Sequence, residues 1–247
     1  MPVTLSSIAA STLTGSQSSR QAGNDRVAQA FQKADKRIQQ QRDLTAVQLS
    51  SFGKLKSAFA EAQTASSGLG NIKSTTSDAE VRKLAGTFVK AFNSAVQTSR
   101  SAATQTGTPV ESNRARAAET ELRRSVNTDL TSTELRKIGI TRQADGTLSI
   151  DSKAFDTALS TEPEAVRSAL SSLGQQVGQT ATGQLADGGN IGRAVNTLSD
   201  RARTLEARQA DQQALAKAGQ QNISAQTNRF ATSLNSGAAA YERIFST

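Results

Sequence analysis

Along the first part of the chain, apolar residues recur at intervals of three and four: Val27, Phe31, Ala34 and Ile38, then, after polar positions at Gln41, Thr45 and Gln48, Phe52, Leu55, Phe59, Ala62 and Leu69. Such a 3.5-residue repeat, held over roughly six heptads, predicts a long helix that packs along a seam. Forty such residues would extend about 60 Å, and a single stripe of Phe and Leu that long needs a partner. The far end of the chain offers one. From Ile191 a second register runs through Val195, Leu198, Ala202 and Leu205, weakens at Gln209 and Gln212, and recovers at Ala216, Ile223, Phe230 and Ile244. Two long segments at opposite ends of the chain, each short of core by itself, predict an antiparallel pair. Its Gln-rich interior predicts marginal stability and reliance on neighbouring subunits.

Between these ends the pattern changes. Ser66–Ser77, with Gly68 and Gly70, reads as a connection. From Asp78 to about Thr104, Val81, Leu84, Ala85, Phe88, Phe92 and Val96 mark a helix with Ser77 or Asp78 as its N-cap, ended by Gly107 and Pro109. A narrow apolar face at Ala115, Ala118, Leu122 and Val126 predicts another helix from Glu111 to Asn127, exposed on its Arg-rich side. The segment 138–150 alternates apolar and polar residues around Asp145-Gly146, the signature of a hairpin with a tight turn of positive φ. Asp151 then caps a short helix through Phe155 and Leu159. Pro163 stands where a missing N–H costs nothing, at the start of a helix bearing Val166, Ala169, Leu170 and Leu173. The Gly- and Gln-rich stretch from Gly174 to Gly192 closes this module.

The expected fold class is mainly α: long N- and C-terminal helices forming an antiparallel coiled coil, plus a small helical domain with one hairpin. The expected divisions are 1–23, rich in Ser, Thr, Ala and Gln and read as disordered; 24–68, the N-terminal helix; 69–187, the small domain; and 188–247, the C-terminal helix. Expected coiled-coil and subunit-interface residues are Phe31, Ile38, Phe52, Leu55, Phe59, Leu198, Leu205, Ile223, Phe230, Leu234, Tyr241 and Ile244. The expected small-domain core is Phe88, Phe92, Ile138, Ile140, Leu148, Ile150, Phe155, Val166 and Leu170.

Composition narrows the chemistry. The 247 residues include no His and no Cys, which removes the usual zinc ligands, thiol nucleophiles, disulfides and imidazole bases. Aromatic content of 4% and hydrophobic content of 36% argue against a large compact core. Asp145 and Asp151 occupy turn and cap positions that local hydrogen bonds explain. Asp187-Gly188-Gly189-Asn190 could cradle an anion with free N–H groups, but reads first as a turn and cap. No catalytic residue, cofactor or metal is expected. The net charge of +8 admits a nucleic-acid partner. Basic residues nevertheless come in runs no longer than a pair, such as Arg123-Arg124, without interleaved aromatics, and read as a solvated helix surface. No apolar stretch approaches the ~20 residues of a membrane span, and the N-terminus lacks the pattern of a cleaved signal.

Ile138-Gly-Ile-Thr, Asp145-Gly-Thr-Leu-Ser-Ile-Asp151, Phe155, Ala158-Leu159 and Glu162-Pro-Glu-Ala-Val166 together resemble the C-terminal region of the flagellar hook-associated protein 2 family, the filament cap. Leu49-Ser-Ser-Phe-Gly-Lys-Leu-Lys-Ser-Ala58 is similar to the family's N-terminal helix. Phe88-Val-Lys-Ala-Phe-Asn93 is similar to its FVxxYN helix, and the tail from Gly188 through Arg229-Phe230 to its last long helix. The family usually carries large outer domains between the first helix and the FVxxYN helix, where this chain has only Leu69–Asp78. The resemblance therefore implies a short cap without its outer plate. It further implies a non-enzymatic, secreted protein, exported without signal cleavage to the tip of the bacterial flagellum. The partners it implies are flagellin and further copies of itself in a ring, with hook–filament junction proteins and an export chaperone as additional candidates. Two other readings stay open: a junction or export-associated coiled-coil protein that caps nothing, and a basic nucleic-acid-binding protein.

Overall fold

The structure, a computed structural model, describes the backbone of residues 5–127 and 129–245 and the side chains of 25–127, 133–233 and 236–237. Seven helices and one hairpin follow in the order α1 (Leu5–Gly70), α2 (Asp78–Gln105), α3 (Pro109–Arg124), α4 (Asp129–Lys137), β1 (Ile140–Arg142), β2 (Leu148–Ile150), α5 (Ser152–Thr161), α6 (Pro163–Leu185) and α7 (Asn190–Phe245). Of the lead-in expected to be disordered, residues 1–4 lie outside the described residues, and from Leu5 the backbone is helical. Between Leu5 and Gly23 the only glycines are Gly15 and Gly23 and there is no proline, so nothing there breaks a helix.

The chain divides into two units. One holds 43–202 and the other 1–42 with 203–247. The first takes in the end of α1 and the beginning of α7, which the boundaries at 68/69 and 187/188 assign to the terminal helices. Burial is the reason: Phe52, Leu55, Phe59, Ala62 and Leu69 of α1 and Ile191, Ala194 and Leu198 of α7 join one hydrophobic cluster with Phe88, Phe92, Leu122, Ile140, Phe155 and Leu170. Such a cluster supplies the driving force of the unit.

Local chemistry sets the elements of this unit. Ser77 caps α2, its hydroxyl accepting from the Glu80 N–H at 3.3 Å. Pro109 opens α3 and Pro163 opens α6, each in the first helical turn. Asp151 caps α5 by accepting from Ala154 N–H at 3.0 Å. α4 fills a stretch with no element in the sequence reading, burying Leu135 below the hairpin's first strand.

Two features sharpen the sequence reading. The expected hairpin with its tight turn at Asp145-Gly146 is present, and its loop has three residues. Its strands pair Ile140 with Ile150 and Arg142 with Leu148, Gln143 N–H donates to Thr147 O and Gly146 N–H to Gln143 O, both at 2.8 Å. Only Gly146 in the turn has positive φ, +82°, which makes a three-residue loop with glycine in the left-handed position. The turn is stabilised from within: Asp145 Oδ1 accepts from Thr147 N–H at 3.0 Å and from Thr147 Oγ1 at 2.6 Å. The second concerns the stretch Gly174–Gly192 that closes the module, which is helical as far as Leu185. A Cβ on Gly174 would lie 2.5 Å from Ser66 O and 2.6 Å from Gly70 N. The glycine lets α6 cross the end of α1 backbone to backbone, a contact no larger residue permits. Ser171 Oγ donates to Gly70 O at 3.1 Å and Gln63 Nε2 to Thr182 Oγ1 at 2.7 Å along the same crossing.

Candidate assembly interface

In the unit made of 1–42 and 203–247, α1 and α7 lie side by side. Arg42 donates to Gln209 Oε1 and stands 4.0 Å from Glu206. Lower-numbered α1 residues meet higher-numbered α7 residues: 30–41 share a groove with Arg208, Asp211 and Gln212. That progression is antiparallel. The less exposed positions of α7 are Ala202, Leu205, Gln209, Gln212, Ala216 and Gly219, alternating steps of three and four as a coiled-coil seam requires. On α1, Phe31, Ala34 and Ile38 are half-buried.

The same register continues to Ile223 and Phe230, spaced seven apart and in step with Ala216. Here burial falls along the helix: Leu205 is 3% exposed, Ile223 37% and Phe230 40%. Two helices whose seam is mostly Ala, Gln and Gly bury little apolar surface between them, and Val27, Leu215 and Ile223 are exposed.

Of the residues expected at the coiled-coil and subunit interface, Phe31, Ile38, Leu205, Ile223 and Phe230 are in this unit. Phe52, Leu55, Phe59 and Leu198 sit in the core of the other unit, at most 1% exposed. Leu234, Tyr241 and Ile244 lie outside the residues whose side chains are described. The expected small-domain core residues are buried in the 43–202 unit, except Ile150, which is partly buried against the cluster. The polar middle of the α1 pattern is also inside that unit. Thr45 and Gln48 are 1% and 0% exposed, and Gln48 Nε2 donates to Thr106 O at 2.8 Å, tying α1 to the end of α2.

Asn93, the last residue of the FVxxYN-like stretch, has a task the sequence pattern does not reveal. Its side chain donates to Leu148 O at 2.8 Å and accepts from Leu148 N–H at 2.7 Å. The amide thus stands in for a neighbouring strand and holds the hairpin against α2. Beside it, Glu119, 9% exposed, accepts from Arg100 at 2.9 Å and lies 3.4 Å from Arg123, and Arg100 also donates to Asp145 O.

Charge divides unevenly between the units. Residues 1–42 and 203–247 hold eleven basic and five acidic side chains, against eighteen and sixteen in 43–202. Read over the whole chain, the basic residues looked dispersed; the division into units concentrates them. In the 43–202 unit, Arg82, Arg100, Arg114, Arg123, Arg124 and Arg167 all meet carboxylates. In the helix pair, Lys33, Arg37 and Arg208 have no acidic partner within 4.0 Å among the described residues.

The carboxylates at the turns have local work. The Thr147 side chain, then the Thr147 backbone N–H, holds the Asp145 carboxyl below the usual aspartate range, with Arg100 and Arg123 adding to the effect. Asp187 accepts from Asn196 Nδ2 at 3.0 Å and Asn190 donates to Gln184 at 2.8 Å. Among the described residues, no cluster of three or more acidic side chains is arranged to hold a metal ion, and no helix is long and apolar enough to cross a membrane.

Comparison with curated proteins and with solved structures finds no match to this chain. A family model described as the flagellar hook-associated protein 2 C-terminus matches residues 61–247, so the stretch 49–58 lies outside it. The match spans the FVxxYN-like helix, the hairpin with its Asp-Gly turn and all of α7, and the chain belongs to the flagellar hook-associated protein 2 family.

Proposed function

We propose that this protein caps the flagellar filament: a ring of copies at the growing tip, outside the cell, engages flagellin through the terminal helices and holds open the place where each exported subunit folds. The observation that carries this reading is the loss of burial along α7, from Leu205 at 3% exposure to Ile223 at 37%. A helix that keeps Ile223 and Phe230 in register yet 37% and 40% exposed is suited to burial against another subunit. Its Gln-rich seam suits displacement as subunits add, because little apolar surface is lost when the two helices shift. The role is mechanical, and no residue is assigned to catalysis.

In a strain lacking the gene, monomeric flagellin should escape into the medium from cells without filaments, and the gene should restore both filaments and swimming. Normal filaments in that strain would rule capping out. A second reading rests on the connection between α1 and α2. Residues 71–77 alone separate the helices, where the family usually carries outer domains, and this favours an accessory protein of the junction or export pathway. Secretion of the protein together with normal filament growth in the deletion strain would favour that alternative. Nucleic-acid binding draws little support: Arg82, Arg100, Arg123, Arg124 and Arg167 of the 43–202 unit are engaged by carboxylates, and the sequence interleaves no aromatics with its basic runs.

A further inference from the structure

We propose that the groove between α1 and α7 in the terminal helix pair is a docking channel for an acidic amphipathic helix of a partner subunit. The inference deepens the assembly reading above and rests on it, since it names the chemistry of the partner. The groove is open to solvent and has a volume of about 600 Å³. Ala34 and Ile38 contribute apolar floor, while Lys33, Arg37 and Arg208 stand at its edge with Asp211 as the single acid. Each part asks for a different feature of the occupant. An apolar floor between two helices fits the ridge of a third, as in helix bundles. Three cations without acidic partners among the described residues ask for carboxylates on the flanks of that ridge, since complementary charge steers encounter and fixes register.

A second copy of the same helix pair fits poorly. Eleven basic and five acidic residues would face the same excess, and like charges placed together oppose association. A duplex nucleic acid would meet the cations but leave Ala34 and Ile38 unused. An anionic bilayer would meet the exposed cations without reaching the floor of a channel between two helices.

The test uses the full chain and a labelled synthetic helix with Leu and Ala along one stripe and Glu on both flanks. A second helix of the same apolar pattern with Lys for Glu is the control, and fluorescence anisotropy is the readout. The Glu helix should bind at least about tenfold tighter than the Lys helix, with the difference shrinking as salt is raised. The variant K33E/R37E/R208E changes only exposed positions, and circular dichroism would establish that its helices are intact. It should reverse the preference. Equal binding of the two helices to the wild type, or an unchanged preference in the variant, would overturn the proposal. So would binding of a DNA duplex, or of vesicles containing phosphatidylglycerol, that the variant abolishes while the Glu helix fails to bind. In cells, full rescue of a deletion strain by the charge-reversed variant would remove the channel from assembly and leave capping intact. Normal filaments in the deletion strain itself would instead remove capping, whatever the helices bind.

Discussion

Asn93 replaces a strand with a single side chain. Removing it as Asn93→Ala leaves both the N–H and the C=O of Leu148, which is 3% exposed, without their partner, and an unsatisfied buried backbone group costs about 1–3 kcal/mol. A urea titration should show a loss in that range, and a midpoint equal to wild type would mean that water takes over both bonds. The glycines of α1 and α6 give opposite signs for one substitution. Gly174→Ala places a methyl group against the backbone of Ser66 and Gly70 at 2.5–2.6 Å, an overpacking that costs about 1–3 kcal/mol. Gly53→Ala, with nothing within 4 Å of the new methyl, should stabilise the helix by about 0.5–1 kcal/mol. Thermal melting of the two variants should therefore move in opposite directions, and a Gly174→Ala variant as stable as wild type would refute the close crossing of α1 and α6.

Among the elements, the hairpin turn is the one with a pH signature. Asp145 has its folded-state pKa lowered, chiefly by the Thr147 hydroxyl and then by the Thr147 N–H. A lowered carboxyl pKa contributes stability that is complete above the unfolded value, about 4, and is lost as pH falls through the folded value. Wild type should therefore exceed Asp145→Asn in stability at neutral pH, with the gap closing only in acid below about pH 4. A gap that stayed constant down to about pH 2 would show that the charge on Asp145 plays no part in the turn. The turn also shows how far pattern reading reaches. Asp145-Gly146 announced a hairpin, but whether the loop holds two or three residues depends on how Gln143 and Thr147 pair, and an apolar alternation is the same in both cases.

For the whole molecule, the two units should differ in protection. The 43–202 unit encloses Phe52, Phe59, Phe88 and Phe92 at 0% exposure, whereas most of the helix pair's described residues are exposed. Native-state hydrogen exchange should find the amides of 52–69 and 85–99 protected up to the global limit, and those of 25–40 and 215–233 exchanging by local opening. Binding of a partner along the pair should slow exchange in the second group first. Equal protection of all four segments in the isolated protein would contradict the sparse seam on which the assembly reading depends.

The long helices, the capped starts at Ser77 and Asp151, the proline start at Pro163, the hairpin and the absence of thiol or imidazole chemistry were legible in the order of residues, because each depends on neighbours within a few positions. The 3.5-residue period of α1 was legible too, but its polar positions at Gln41, Thr45 and Gln48 do not by themselves say that one environment ends and another begins there. The fold decided that Phe52 faces a core while Ile38 lines an open groove, since burial depends on what arrives from distant parts of the chain. It likewise decided that Gly174 permits a helix crossing instead of ending a helix, that Asn93 pairs with a strand 55 residues away, and that a dispersed positive charge gathers on the terminal helices. Local sequence sets which elements form; which of their faces meet is settled by packing among residues far apart in the chain, and the candidate interface is made of the faces that packing leaves open.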